Sequence, residues 1–142
     1  MSHYIYLSSD DNIYPQNSGN DFVVRLSPEL SLDPTQKWEV AVTEFEIVPN
    51  TGDTCFLLCA DICGPSRVGG RHVPLLRKSC SLTVGNRYLH TYVRPFYVPL
   101  VKTFIDDVRV YLTHTTGHPG SFTDYTSRVT LHIRKASPFY ES

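Results

Sequence analysis

Apolar and polar residues alternate with a period of two through most of this chain, and that period predicts strands. It is cleanest over Arg128–Arg134, where Val129, Leu131 and Ile133 point one way and Arg128, Thr130, His132 and Arg134 the other. Val108–His114 repeats it, with Val108, Val110 and Leu112 opposite Arg109, Tyr111 and Thr113. A longer strand over Lys37–Val48 sets Trp38, Val40 and Val42 on one face before the phase flips to Phe45 and Ile47. An extra residue near Thr43–Glu44, as a bulge or bend, shifts phase without leaving the sheet. Further strands are expected over His3–Leu7, Asp21–Leu26, Thr54–Ala60, His72–Lys78 and Arg87–Val98. Pro95 and Pro99 mark the last of these as an edge or an irregular end.

Leu100, Phe104, Val108 and Leu112 recur every four residues, so a short helical turn over Val101–Asp106 stays open. The segment VRVYLTHT is β-branched and aromatic and alternates strictly, which returns it to a strand. Links fall at Gly64–Gly70, at Val84–Asn86 and, longest, at Thr115–Ser127. Residues with a face turned inward form the expected core: Phe22, Val24, Leu26, Trp38, Val40, Val42, Val110, Leu112 and Leu131.

These strands define the class. Ten prolines and eight glycines punctuate a chain of 142 residues, and Tyr and Phe supply nine and seven residues. Eight short strands in one chain of this length predict an all-β, single eight-stranded jelly-roll sandwich spanning residues 1–142, with at most short helical turns. At 41% apolar and 19% charged the chain can bury a core without staples. A net charge of −1, and no Lys or Arg before Arg25, argue against a protein that neutralises nucleic-acid phosphates. No apolar run approaches the ~20 residues that cross a bilayer, so no membrane role is expected. The segment MSHYIYLSSDDN lacks the charged start and apolar centre of a secretory signal, so a reducing compartment is expected, with free thiols.

Candidate chemistry changes little. Cys55, Cys59 and Cys63 are spaced four apart, with His72 and Cys80 further on. Residues four apart on a strand stand about 13 Å from each other, too far to share a tetrahedral metal without a tight loop at CADIC. Buried or half-buried thiols are the simpler reading. Cys80 follows Arg77 and Lys78, which would lower a thiol pKa, but no catalytic signature surrounds it. The pairs Asp10–Asp11 and Asp106–Asp107 point to opposite faces of a strand and form no acid–base dyad. GPSRVGG lacks the order and the Lys-Ser/Thr of a phosphate loop. No catalytic residue, metal ligand or cofactor is assigned, and an enzyme is not expected. Arg87, Tyr88, Tyr92, Arg94 and Tyr97 interleave basic and aromatic groups, which at this charge balance suits a protein–protein surface better than bases.

Two blocks carry a resemblance. NSGNDFVVRLSPELSL followed by KWEVAVTEFEI is similar to the N-terminal part of the penton (minor capsid) proteins of Polinton-like and adintovirus-like elements. YVPLVK, then VRVYLTHTTG, then RVTLHIRK resembles their C-terminal half. Residues Thr54–Tyr88 have no counterpart, and Thr115–Thr116–Gly117 stands where that family has an Asp in the turn. The resemblance implies a single jelly roll that forms homopentamers at the fivefold vertices of an icosahedral capsid. It further implies neighbours that are double-jelly-roll major capsid proteins, a place at the capsid vertices of a virion, and synthesis in the host cytosol without secretion.

A closed ring needs a head-to-tail contact between two different patches. The candidates are the end of the sixth strand, with Arg94, Phe96 and Tyr97, and the Thr115–Tyr125 loop, with His118, Phe122 and Tyr125. A second reading is a jelly-roll module that binds carbohydrate or peptide through its loops, in a pocket lined by Tyr88, Tyr92 and Tyr97.

Overall fold

The computed structural model describes residues 2–11, 13–50, 56–68, 70–79, 84–116, 118 and 121–136. Alternating segments become strands, in chain order β1 (Ser2–Ser8), β2 (Asp21–Ser31), β3 (Trp38–Ile47), β4 (Phe56–Ala60), β5 (Ser66–Val68), β6 (Arg71–Val73), β7 (Leu75–Ser79), β8 (Tyr88–Thr91), β9 (Val98–Pro99), β10 (Phe104–His114) and β11 (Arg128–Lys135). No helix occurs among the described residues, and Val101–Thr103 leads directly into β10 instead of forming a helical turn.

Two antiparallel ladders carry the fold, in the orders β1-β11-β3-β8 and β2-β10-β4-β7. Strands alternate between the two sheets along the chain, from β1 to β2 to β3 to β4, then from β7 to β8 to β10 to β11. That wrapping is the jelly roll. The described residues form eleven strands where eight were expected. Pro74, which has no N–H to give a ladder, separates β6 from β7 within the expected fifth strand. The expected sixth strand leaves the sheet after Thr91 and rejoins it as β9, beside β3. β5 and β6 form a separate hairpin, Ser66 opposite Val73. Of the expected fourth strand, Thr54 and Cys55 lie outside the described residues.

The inward rows of both sheets make one core. Val129, Leu131 and Ile133 of β11 are 2%, 0% and 0% exposed, so the alternation read from the sequence is the burial pattern. Phe45 of β3 meets Phe56 of β4 edge-on across the sandwich, with ring centroids 6.0 Å apart. Phe22, Trp38, Val40, Val42, Val110, Leu112 and Leu131 are buried, whereas Val24 and Leu26 are half-buried at the side of the core. Each fully buried aliphatic or aromatic side chain contributes roughly 1.5–3 kcal/mol.

The phase flip in β3 is a bulge. Thr130 pairs with Glu44 and Leu131 with Val42, so Thr43 has no partner across the ladder. The link between β2 and β3 is pinned at both ends. Leu32 is buried and its N–H donates to the Thr103 carbonyl at 2.7 Å, and the Trp38 indole N–H donates to the Asp33 carbonyl at 3.0 Å.

Candidate functional site

Residues 92–97 close the sandwich on one side, where they connect β8 and β9 at the edge of the first sheet and lie against β7 at the edge of the second. Both ends are anchored. The Tyr92 N–H donates to the Thr43 carbonyl at 2.9 Å, and the Arg77 guanidinium lies 3.9 Å from the centroid of the Tyr92 ring. Arg77 also donates to the Arg94 carbonyl at 3.3 Å. At the far end the Tyr97 hydroxyl bonds His132 Nδ1 at 2.7 Å, under the Arg134 guanidinium at 3.5 Å from the ring centroid. Between these anchors Val93 and Phe96 are 90% and 64% exposed, and Arg94 is exposed.

Tyr97 therefore lies across the outer face of the first sheet, half-buried, in a cluster that includes Tyr4, whose ring stacks on His132 at 4.5 Å. Burial, and then the charge of Arg134, hold the His132 imidazole below its ordinary pKa. Tyr88 and Tyr92 face the other way, on the side of the core, with the His90 ring between them at 5.8 and 4.2 Å. The three tyrosines expected to line one pocket thus sit on two faces of the sheet and do not converge.

The 115–127 loop, of which residues 117, 119 and 120 lie outside the described residues, is held by the chain's own polar groups. Asn20 Oδ1 accepts from the Phe122 and Thr123 N–H groups at 2.6 and 3.1 Å, and its Nδ2 donates to the Thr123 carbonyl at 2.9 Å. Ser127 Oγ donates to the Gly19 carbonyl at 2.8 Å. These bonds turn Phe122 inward. At 2% exposure it packs on Phe56 and His114, so it belongs to the core and is no surface contact, contrary to the sequence expectation. His118 and Tyr125 do face solvent, while the His118 carbonyl accepts from Thr113 Oγ1 and the His114 N–H, each at 2.9 Å. The sequence reading missed Asn20, Arg77 and the Thr43 carbonyl as anchors; the polar NSGND turn was the signal that could have found Asn20.

The cysteines offer no chemistry that the described residues can show. Cys59 and Cys63 are buried thiols. Burial pushes them up to about 11 and about 12, so both stay protonated at neutral pH. Cys55 and Cys80 lie outside the described residues. Among the described residues no three His, Cys, Asp or Glu side chains gather in a metal-binding group.

The sequence matches no protein-family model and no curated protein. Its structure does match solved ones. The mavirus penton protein superposes with a TM-score of 0.64 over 94% of this chain and 100% of that one, at 8% identity. The two share a fold. A chain of infectious bursal disease virus, Gt strain, aligns over 93% of this chain and 31% of its own, with a TM-score of 0.41 and 12% identity.

Proposed function

We propose that this chain is a structural subunit of a viral capsid, of the penton type. On this reading it assembles as a homopentamer at the fivefold vertices and contacts a double-jelly-roll major capsid protein, and its place is the virion. The observation that carries the proposal is the end-to-end superposition on the mavirus penton protein, with nothing left over on that chain and 6% on this one. The two sequence blocks that resemble such proteins support it from an independent side, because a common fold at 8% identity does not require them.

The described surfaces suit the role. Exposed Phe96, Val93 and Arg94 sit on anchored backbone, so a neighbour that covers them has little chain to order. His118 and Tyr125 at one end of the sandwich are proposed as a second contact, towards neighbouring capsid proteins. The test is to co-express the tagged chain with a double-jelly-roll major capsid protein and to image the particles. The tag is expected at the fivefold vertices, and particles that exclude the chain, or carry it elsewhere, would overturn the proposal.

A further inference from the structure

We propose that the two flanks of the sandwich are complementary, and that the flank of residues 92–97 docks head-to-tail on the β1/β2 flank of a second copy of this chain. The proposal rests on the ring-forming reading above and names the surfaces that such a ring requires.

The strand orders set the flanks on opposite sides. β1 and β2 are end strands of their sheets and touch each other, while β8 and β7 are the opposite ends, so β1 and β2 make one flank and residues 92–97 with β7 the other. A heterologous contact between opposite flanks repeats from one copy to the next, as a ring demands.

Charge separates along the same axis. On the outer faces the charges neutralise one another across strands: Arg134 with Glu39 at 2.6 Å, Arg128 with Glu46 at 2.6 Å, Arg109 with Asp21 at 2.8 Å. Glu44 and Lys135 of the first sheet enter no ion pair among the described residues. The flanks behave differently. Arg94 and Lys78 on one flank are exposed and enter no ion pair among the described residues. At the other flank Glu29 of β2 and Asp106 of the adjoining β10 are exposed and enter no ion pair among the described residues, at the point where β2 bulges away from β10 between Arg25 and Leu30. One side is thus basic and the other acidic.

Apolar surface accompanies the charge on both sides. Phe96 borders a cavity of about 340 Å³ that Leu75, Leu76 and Val98 also line. Opposite, Tyr4 and Tyr6 of β1 are 58% and 75% exposed and offer aromatic faces to an arginine or a phenylalanine. Unpaired charges of opposite sign fix the orientation of such a contact and penalise a flank meeting its own kind.

Two variants of the full chain test this. One carries Lys78→Glu and Arg94→Glu, the other Glu29→Lys and Asp106→Lys; all four side chains are exposed, and a thermal melt checks that folding is kept. Sedimentation velocity is run on wild type, on each variant and on their equimolar mixture. The expected result is self-association of wild type, at least tenfold weaker association of each variant alone, and mixed complexes when the two are combined. High salt near 1 M, where the Debye length is about 3 Å, should dissolve the mixed complexes. Wild type that assembles while both variants assemble equally well would overturn the flank assignment and leave the capsid-ring reading standing. Monomeric wild type would overturn the docking, whether or not the two variants pair when mixed.

Discussion

The amide of Tyr92 donates to the carbonyl of Thr43 at 2.9 Å, at the residue that the β3 bulge leaves without a partner on β11. The bond continues the register in which Glu44 faces Thr91 and Phe45 faces His90, and so ties the start of an exposed segment to the edge of the sheet just past β8. Arg77 supplies the second tie, over the Tyr92 ring and to the Arg94 carbonyl.

Arg77→Ala is therefore expected to cost about 1–2 kcal/mol, from one cation–π contact and one hydrogen bond. Hydrogen exchange should localise the effect, with amides of residues 92–97 opening faster and those of β11 unchanged. An equal rise in both would contradict the anchor.

Asn20 ties the turn before β2 to residues 122 and 123, about a hundred positions away. Asn20→Ala leaves the Phe122 and Thr123 N–H groups without their acceptor and should cost roughly 2–4 kcal/mol in a denaturant melt. Gly19→Ala should destabilise as well, because a Cβ there would stand 2.7 Å from Thr123 Cγ2 and closer still to the Tyr125 carbonyl oxygen. Wild-type stability in either variant would refute the assignment.

His132 gives the fold a mild acid sensitivity. Its folded-state pKa lies below the ordinary 6.5, so the unfolded chain takes up the proton first as the pH falls. The stability that follows is complete above about pH 6.5 and is lost as the pH drops from there through the folded value. Thermal midpoints of wild type should fall between pH 7 and pH 5 more steeply than those of His132→Gln. Parallel curves would show that His132 is not responsible.

Cys59 and Cys63 should resist alkylation in the native protein at pH 8 and react once it is unfolded, since burial holds both thiols protonated and covered. Peptide mapping after iodoacetamide reads the two sites separately. Native labelling at either would contradict their burial.

The sequence revealed most where burial follows a local period. β11 buries every second residue, β3 and β10 do so over most of their length, and the bulge could be read from Trp38, Val40 and Val42 giving way to Phe45 and Ile47. It revealed least where distant partners decide. Tyr92 to Val98 alternates like a strand, yet Tyr97 is drawn onto the outer face by His132 and Arg134, from β11. Phe122 sits in a polar loop and looks exposed, and only Asn20 and Phe56 turn it inward. The four-residue apolar spacing from Leu100 suited a helical turn, but Leu100 and Val101 give their N–H groups to the Trp38 and Ile62 carbonyls, each at 2.9 Å, which commits the segment to extended backbone.

The proposed capsid role requires that five copies of this chain close into a ring. Light scattering on the purified protein, across concentration and under reducing conditions, measures that directly. A species at five times the 16.1 kDa chain mass is expected. A defined assembly of another size, such as a dimer that persists on dilution, would contradict it.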